Sequence, residues 1–139
     1  MKRAAPGYTY RVDRIRVVVA DDHPSVRENL RYLIDAEDDM TCVGIAKDGR
    51  SCVDLCYDLV PQVLVLDDDM PGIDGLRVVR HLVRELPQIQ TVLYTVDSEI
   101  CEAARWQGAV ACILKDSPYE VLIDAIRRAA HAPVGSELF

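Results

Sequence analysis

Asp21-Asp22, Asp67-Asp68-Asp69, Thr95 and Lys115 are the residues of this 139-residue sequence whose types and surroundings suggest chemistry. Carboxylates crowded into a partly buried site repel one another, so a proton or a cation must join them. Oxygen ligands without a histidine or thiolate set favour Mg²⁺, which keeps several waters and bridges carboxylate to phosphate. A carboxylate can also attack phosphorus itself and form an acyl phosphate. A lysine would then supply a point charge, and a threonine a hydroxyl, to the phosphoryl oxygens. The common theme is the handling of a phosphoryl group, with Asp67 as the residue on which it turns.

Each of these residues falls at the end of an apolar run. Val63-Leu64-Val65-Leu66 reads as a strand buried on both faces, and it breaks at Asp67 into Asp68-Asp69-Met70-Pro71-Gly72-Ile73-Asp74-Gly75, a stretch rich in turn dipeptides. Ile15 to Ala20 reads as a strand ending at Asp21-Asp22-His23-Pro24, and the proline suits the first turn of a helix carrying Val26, Leu30, Leu33 and Ile34 inward. Cys42 to Ala46 is a second strand, followed by a helix from Asp48-Gly49 to about Val60 that Pro61 stops. Leu76, Val79, Val83 and Leu86 mark a third helix. Thr91 to Thr95 is the fourth strand, Ser98 the cap of a helix with Cys101 and Ala104 inward, and Ala109 to Leu114 the fifth strand, ending at Lys115. A last helix places Val121, Leu122, Ala125, Ile126 and Ala129 on one face.

Five strands alternating with five helices predict a doubly wound α/β domain with a parallel sheet. Right-handed crossovers bring every strand's carboxyl end to one rim. Asp21, Asp22, Asp67, Thr95 and Lys115 then converge from four strands, where open α/β sheets hold their ligands.

The totals narrow the alternatives. One domain accounts for the length, with residues 1–13 as a basic tail, 14–131 as the folded unit and 132–139 as a linker stub. Neither a membrane-spanning apolar run nor a signal-peptide core is present, so the expected location is cytoplasmic. The first sixteen residues carry five cations against one anion, which leaves the remainder at −11 of a total of −7. A body that acidic would repel a phosphate backbone, so direct nucleic-acid binding is not expected of it. Cys42, Cys52, Cys56, Cys101 and Cys112 contain no Cys-x-x-Cys and read as small buried hydrophobes in a reducing compartment.

With these residues placed, the sequence resembles the receiver domain of two-component response regulators. The resemblance runs from Arg14 to about Ala130 and rests on VVVADDHP at 17–24, VLVLDDDMPGIDG at 63–75, VLYT at 92–95 and GAVACILKDSP at 108–118. Asp-Asp-His-Pro and Leu-Lys-Asp look most like the NarL/FixJ subfamily, which carries a LuxR-type helix-turn-helix output. The resemblance implies a flavodoxin-like sheet of order 2-1-3-4-5 with helices on both faces. It implies Asp67 as phosphoacceptor and Asp21, Asp22, Asp67 and the backbone carbonyl of Asp69 as the Mg²⁺ site. Thr95 and Lys115 would be the phosphoryl-sensing hydroxyl and lysine. It further implies phosphorylation by a histidine kinase, a non-enzymatic role in transcription regulation, and DNA contact only through an output domain beyond this stretch.

Four positions depart from the family pattern. Asp68 stands where an apolar residue is usual, and Asp69 adds a carboxylate. Val96 is bulkier than usual beside Thr95 and is expected to narrow the approach to Asp67. Cys112 replaces the aromatic ring that swings inward on activation, so Thr95 and Cys112 are expected to form a weak switch. These departures keep a second reading open, a receiver that dimerises or docks without phosphate. An enzyme of the haloacid-dehalogenase phosphatase type is a remote third, because its Asp-x-Asp motif belongs to the first strand, whereas Asp67-Asp68-Asp69 lies on the third and runs into Met70-Pro71-Gly72. Ile100 and Trp106 on the fourth helix are expected to support a weak homodimer.

Overall fold

The computed structural model describes residues 13–139, and the basic tail read over residues 1–13 lies almost entirely outside them. The elements run β1 (Ile15–Ala20), α1 (Pro24–Asp35), β2 (Met40–Ala46), α2 (Gly49–Leu59), β3 (Val63–Leu66), α3 (Gly75–Glu85), β4 (Gln90–Thr95), α4 (Ile100–Gln107), β5 (Ala111–Leu114) and α5 (Tyr119–His131). The strands form one parallel sheet of order β2-β1-β3-β4-β5. No helix among the described residues is long and apolar enough to cross a membrane.

Alternation along the strands sorts the core into two halves. Val17, Val19, Val63, Val65, Val92 and Tyr94 pack with Leu30 and Ile34 of α1 and with Leu122 and Ile126 of α5. Val18, Ala20, Leu64, Leu66 and Leu93 face the other way, against Cys52 and Cys56 of α2, Val78, Val79 and Leu82 of α3, and Ala104 of α4. At about 1.5–3 kcal/mol for each buried Val, Leu or Ile side chain, these two layers hold the sheet. Because β3 lies at its centre, the site at the end of β3 rests on the most buried part of the molecule.

Several expectations shift in detail. On α3 the buried face is Gly75, Val78, Val79 and Leu82, while Val83 is 42% exposed. Both Val79 and Val83 fit a helical stripe, but the sheet selects the face containing Val78 and Leu82. On α5, Ile123 is buried and Val121 exposed, for the same reason. The N-cap of α4 is Glu99, with no side-chain hydrogen bond, rather than Ser98. Residues 132–139, read as a linker, are docked: the Leu138 amide donates to the Val110 carbonyl at 2.7 Å, and Arg105 meets Glu137 at 3.1 Å. Arg127 grips Asp39 through Nε (2.6 Å) and Nη2 (2.9 Å), which ties α5 to the turn between α1 and β2.

Candidate functional site

The rim at the carboxyl ends of the strands is assembled by the sheet register. Ala20 pairs with Leu66, so the residues that follow, Asp21 and Asp67, leave the sheet side by side. Asp67 is fixed from behind, because its amide donates to the Ala20 carbonyl at 2.9 Å. Thr95 pairs with Leu114, and the amide of Lys115 donates to the Thr95 carbonyl at 2.7 Å. The Lys115 side chain thereby reaches back across the rim. Its Nζ lies 2.8 Å from Asp21 Oδ2 and 3.3 Å from Asp67 Oδ1, although 94 residues separate Lys115 from Asp21.

The turn after β3 is held by close backbone approach. A Cβ on Gly75 would lie 2.4 Å from the Asp67 carbonyl oxygen and 2.7 Å from the Asp68 Cα, and the Gly75 amide donates to the Asp68 carbonyl at 3.1 Å. Asp74 caps α3 through the Arg77 amide at 3.0 Å. The Asp-Gly pair read as a turn signal thus has a second purpose: it lets the start of α3 press against the end of β3. Gly49 does the same one helix away, since a Cβ there would lie 2.1 Å from the Ile73 carbonyl oxygen.

Electrostatics follow from this crowding. Asp21 and Asp67 are buried, with 1% and 3% exposure. Burial and the neighbouring charge of Asp21 push the Asp67 carboxyl up to about 6, against the opposing pull of Lys115 and of the Asp69 amide. Burial acts to lower the Lys115 ammonium, but its bond to Asp21 and the charges of Asp67 and Asp21 outweigh that and raise it.

The two oxygens of Asp67 are unlike. Oδ1 faces Lys115 at 3.3 Å and accepts from the Asp69 amide at 3.3 Å. Oδ2 is buried and has no hydrogen-bond partner. Asp21, Asp22, His23 and Asp67 each offer a ligand atom, and these atoms lie within 4.8 Å of one another. The His23 ring lies 3.1 Å from both Asp21 Oδ1 and Asp22 Oδ1, and the buried oxygens left without a hydrogen bond are Asp22 Oδ1 and Asp67 Oδ2. An unpartnered buried oxygen among carboxylates fits a hard divalent cation. His23 also belongs to the cluster, and its only signal in the sequence is its place directly after the acidic pair.

Not every expected residue joins the cluster. The Thr95 side chain is fully buried at the rim, and its hydroxyl accepts from the Asp97 amide at 3.0 Å instead of bonding a carboxylate. Asp69 is exposed and meets Asp67 through its backbone. Val96 is 82% exposed, so it stands in solvent and does not crowd Asp67. Cys112 is the largest correction. It is not a small buried thiol but is disulfide-bonded to Cys101, with the Cα atoms 5.5 Å apart, and only Cys42, Cys52 and Cys56 are free. The fold sets a residue of α4 directly over β5, a proximity that sequence spacing does not reveal. A bonded Cys112 cannot change position without α4.

A five-stranded 2-1-3-4-5 sheet with an acidic rim and a reaching lysine defines the receiver class of signalling domain. The profile of the response regulator receiver domain matches residues 17–127, and the chain belongs to that family. It is 43% identical over 121 residues to the transcriptional regulatory protein YxjL of Bacillus subtilis, covering 85% of this chain and 55% of that protein. The transcriptional regulatory protein LiaR of the same species is 35% identical over 118 residues, 84% of this chain and 56% of LiaR. Among solved structures, the signal receiver domain of the response regulator NarL from Mycobacterium tuberculosis superposes with a TM-score of 0.82 at 31% identity, covering 87% of this chain and 99% of that one. The chain spans about half the length of the curated relatives it matches.

Proposed function

We propose that this domain is a phosphoacceptor module of a two-component system, phosphorylated on Asp67 by a histidine kinase. The observation that carries the reading is the asymmetry of Asp67, one oxygen held by Lys115 and the Asp69 amide and the other buried without a partner. In the proposed step a carboxylate oxygen of Asp67 attacks the donor's phosphorus, a P–O bond to Asp67 forms, and the bond from phosphorus to the donor breaks. The donor's leaving group takes the electron pair and a proton. Lys115 stays within reach of the transferred oxygens as a fixed positive charge. Thr95 presents a hydroxyl at the same rim once its bond to the Asp97 amide is released.

Asp21, Asp22, Asp67 and the Asp69 backbone carbonyl would hold Mg²⁺. When bound, that ion offsets the charge that builds on the phosphoryl oxygens. No turnover of a free substrate is proposed. The folded unit is taken as residues 14–131. Because the similar curated proteins are transcriptional regulators of about twice this span, the phosphorylated state is read as controlling transcription from the cytoplasm. DNA contact would belong to chain outside these 139 residues, in keeping with the acidity of the body.

The test is intact mass after incubation with Mg²⁺ and a small phosphodonor such as acetyl phosphate. One phosphoryl adduct is expected on the wild type and none on Asp67→Asn. An adduct that survives Asp67→Asn but is lost in Asp68→Asn would move the acceptor by one residue and defeat the assignment.

A further inference from the structure

Among the described residues the cysteines divide sharply. Cys52 and Cys56 stand one turn apart on α2, both fully buried, and remain free thiols. Cys101 of α4 and Cys112 of β5 are bonded, and neither residue is fully buried. The hydrogen bond with Cys56 and burial raise the Cys52 thiol well above its ordinary value, and burial raises that of Cys42. Those thiols stay protonated and compete poorly in exchange.

The bond joins two elements that are otherwise unequally held. β5 is anchored by its ladder to β4. Helix α4 has eight residues, of which only Ala104 is buried, its N-cap makes no side-chain bond, and Trp106 is 79% exposed. Ile100 adds a partly buried contact. The covalent link therefore adds to the modest burial that holds α4 on the sheet, through Ala104 and Ile100. It is also close to the acidic rim, because Cys112 lies three residues before Lys115, whose Nζ touches Asp21 and Asp67. In a reducing compartment such as the one proposed above, disulfides are more often transient or redox-sensing than structural.

We infer that Cys101–Cys112 is a reversible thiol–disulfide modification site whose oxidised form clamps α4 to β5 and whose reduced form releases it to respond to the state of Asp67. The second half rests on the phosphoacceptor reading. The reacting partner is a dithiol, small or carried by a protein. Its thiolate attacks one sulfur, the Cys101–Cys112 bond breaks, and a mixed disulfide forms while the other cysteine leaves as thiolate and takes a proton. The partner's second thiol then displaces the remaining cysteine. Two electrons and two protons pass to Cys101 and Cys112, and the partner closes its own disulfide. A disulfide-bearing oxidant of the same class runs the step backwards.

The experiment uses the full chain in two preparations, one treated with oxidised glutathione and one with dithiothreitol, each freed of reagent. Alkylation under denaturing conditions, read by intact mass, should add three groups to the oxidised form and five to the reduced form. Hydrogen exchange of the α4 amides should be roughly tenfold faster or more after reduction. Beryllofluoride with Mg²⁺ should change α4 exchange in the reduced form and leave it unchanged in the oxidised form. Cys101→Ser and Cys112→Ser should each behave as the reduced protein in both preparations, while Cys42→Ser should keep the wild-type contrast. Five groups in both preparations would overturn the site, and equal α4 exchange in the two states would overturn the clamp. If α4 exchange differs with redox state but beryllofluoride changes nothing in either, including at Asp67, the modification site is upheld and the phosphoacceptor reading falls instead.

Discussion

At the scale of the residue, function concentrates in atoms that the fold leaves unsatisfied. Asp67 Oδ2 is buried with no partner, and Asp22 presents a carboxylate beside it. An unpaired buried carboxylate oxygen costs free energy, and a divalent ion offsets that cost. Mg²⁺ titration followed by amide shifts should therefore saturate in the wild type and weaken at least tenfold in Asp22→Ala. Unchanged affinity in that variant would remove Asp22 from the site. Asp48 shows the opposite case, an acid whose Oδ1 accepts two hydrogen bonds. The Ser51 amide donates to its Oδ1 at 2.8 Å and the Ser51 hydroxyl does so at 2.8 Å, which hold the carboxyl below the usual carboxylate range. A depressed folded value means that its contribution to α2 is present above the ordinary pKa and is lost as pH falls through the depressed one. The amides at the start of α2 should thus lose exchange protection in acid, below about pH 4. Asp48→Asn, which keeps an accepting oxygen, should flatten that dependence.

At the scale of the element, the junction of β3 and α3 decides whether the site exists. Gly75 has no room for a Cβ, with the Asp67 carbonyl oxygen and the Asp68 Cα both closer than a real Cβ tolerates. Gly75→Ala must push the first turn of α3 away from the strand end, and the atoms that move carry Asp67. A loss of about 1–3 kcal/mol in chemical denaturation is expected, as for overpacking in a tight core. Phosphorylation of Asp67 should fall with it. A variant with unchanged stability and unchanged phosphorylation would show that the junction is looser than these distances imply. Gly49 meets Ile73 in the same way, so both glycines allow close backbone approach around the turn that follows the acidic run.

At the scale of the whole molecule, the surface around α4 carries two of the most exposed apolar side chains among the described residues. Trp106 is 79% exposed, tethered through Nε1 to Glu102 Oε2 at 3.1 Å, and Val96 is 82% exposed nearby in sequence. Large exposed apolar groups near one helix favour association with a like surface. A weak homodimer is expected, tightened by beryllofluoride only when α4 is free of its bond to β5. Light scattering across a concentration series, on oxidised and reduced protein, checks this. A monomer at every concentration and in both states would exclude it.

The apolar runs alternating with helices, four of them ending at Asp21, Asp67, Thr95 and Lys115, determined the fold and most of the rim from sequence alone. Parallel strands joined by right-handed crossovers place those ends on one edge, which brings Asp21, Asp22, Asp67 and Lys115 together with Thr95 on the same rim. What the sequence left open depended on which of two compatible faces a helix turns inward, as with Val83 and Val121, whose exposure is chosen by the sheet they meet. Tertiary structure alone decided contacts between elements: the bond from Cys101 to Cys112, the docking of Leu138 on Val110, and the Thr95 hydroxyl turned to Asp97. Periodicity reports what faces the core along one element. It does not report which side chain of a neighbouring element arrives there, and that is where the disulfide lay hidden.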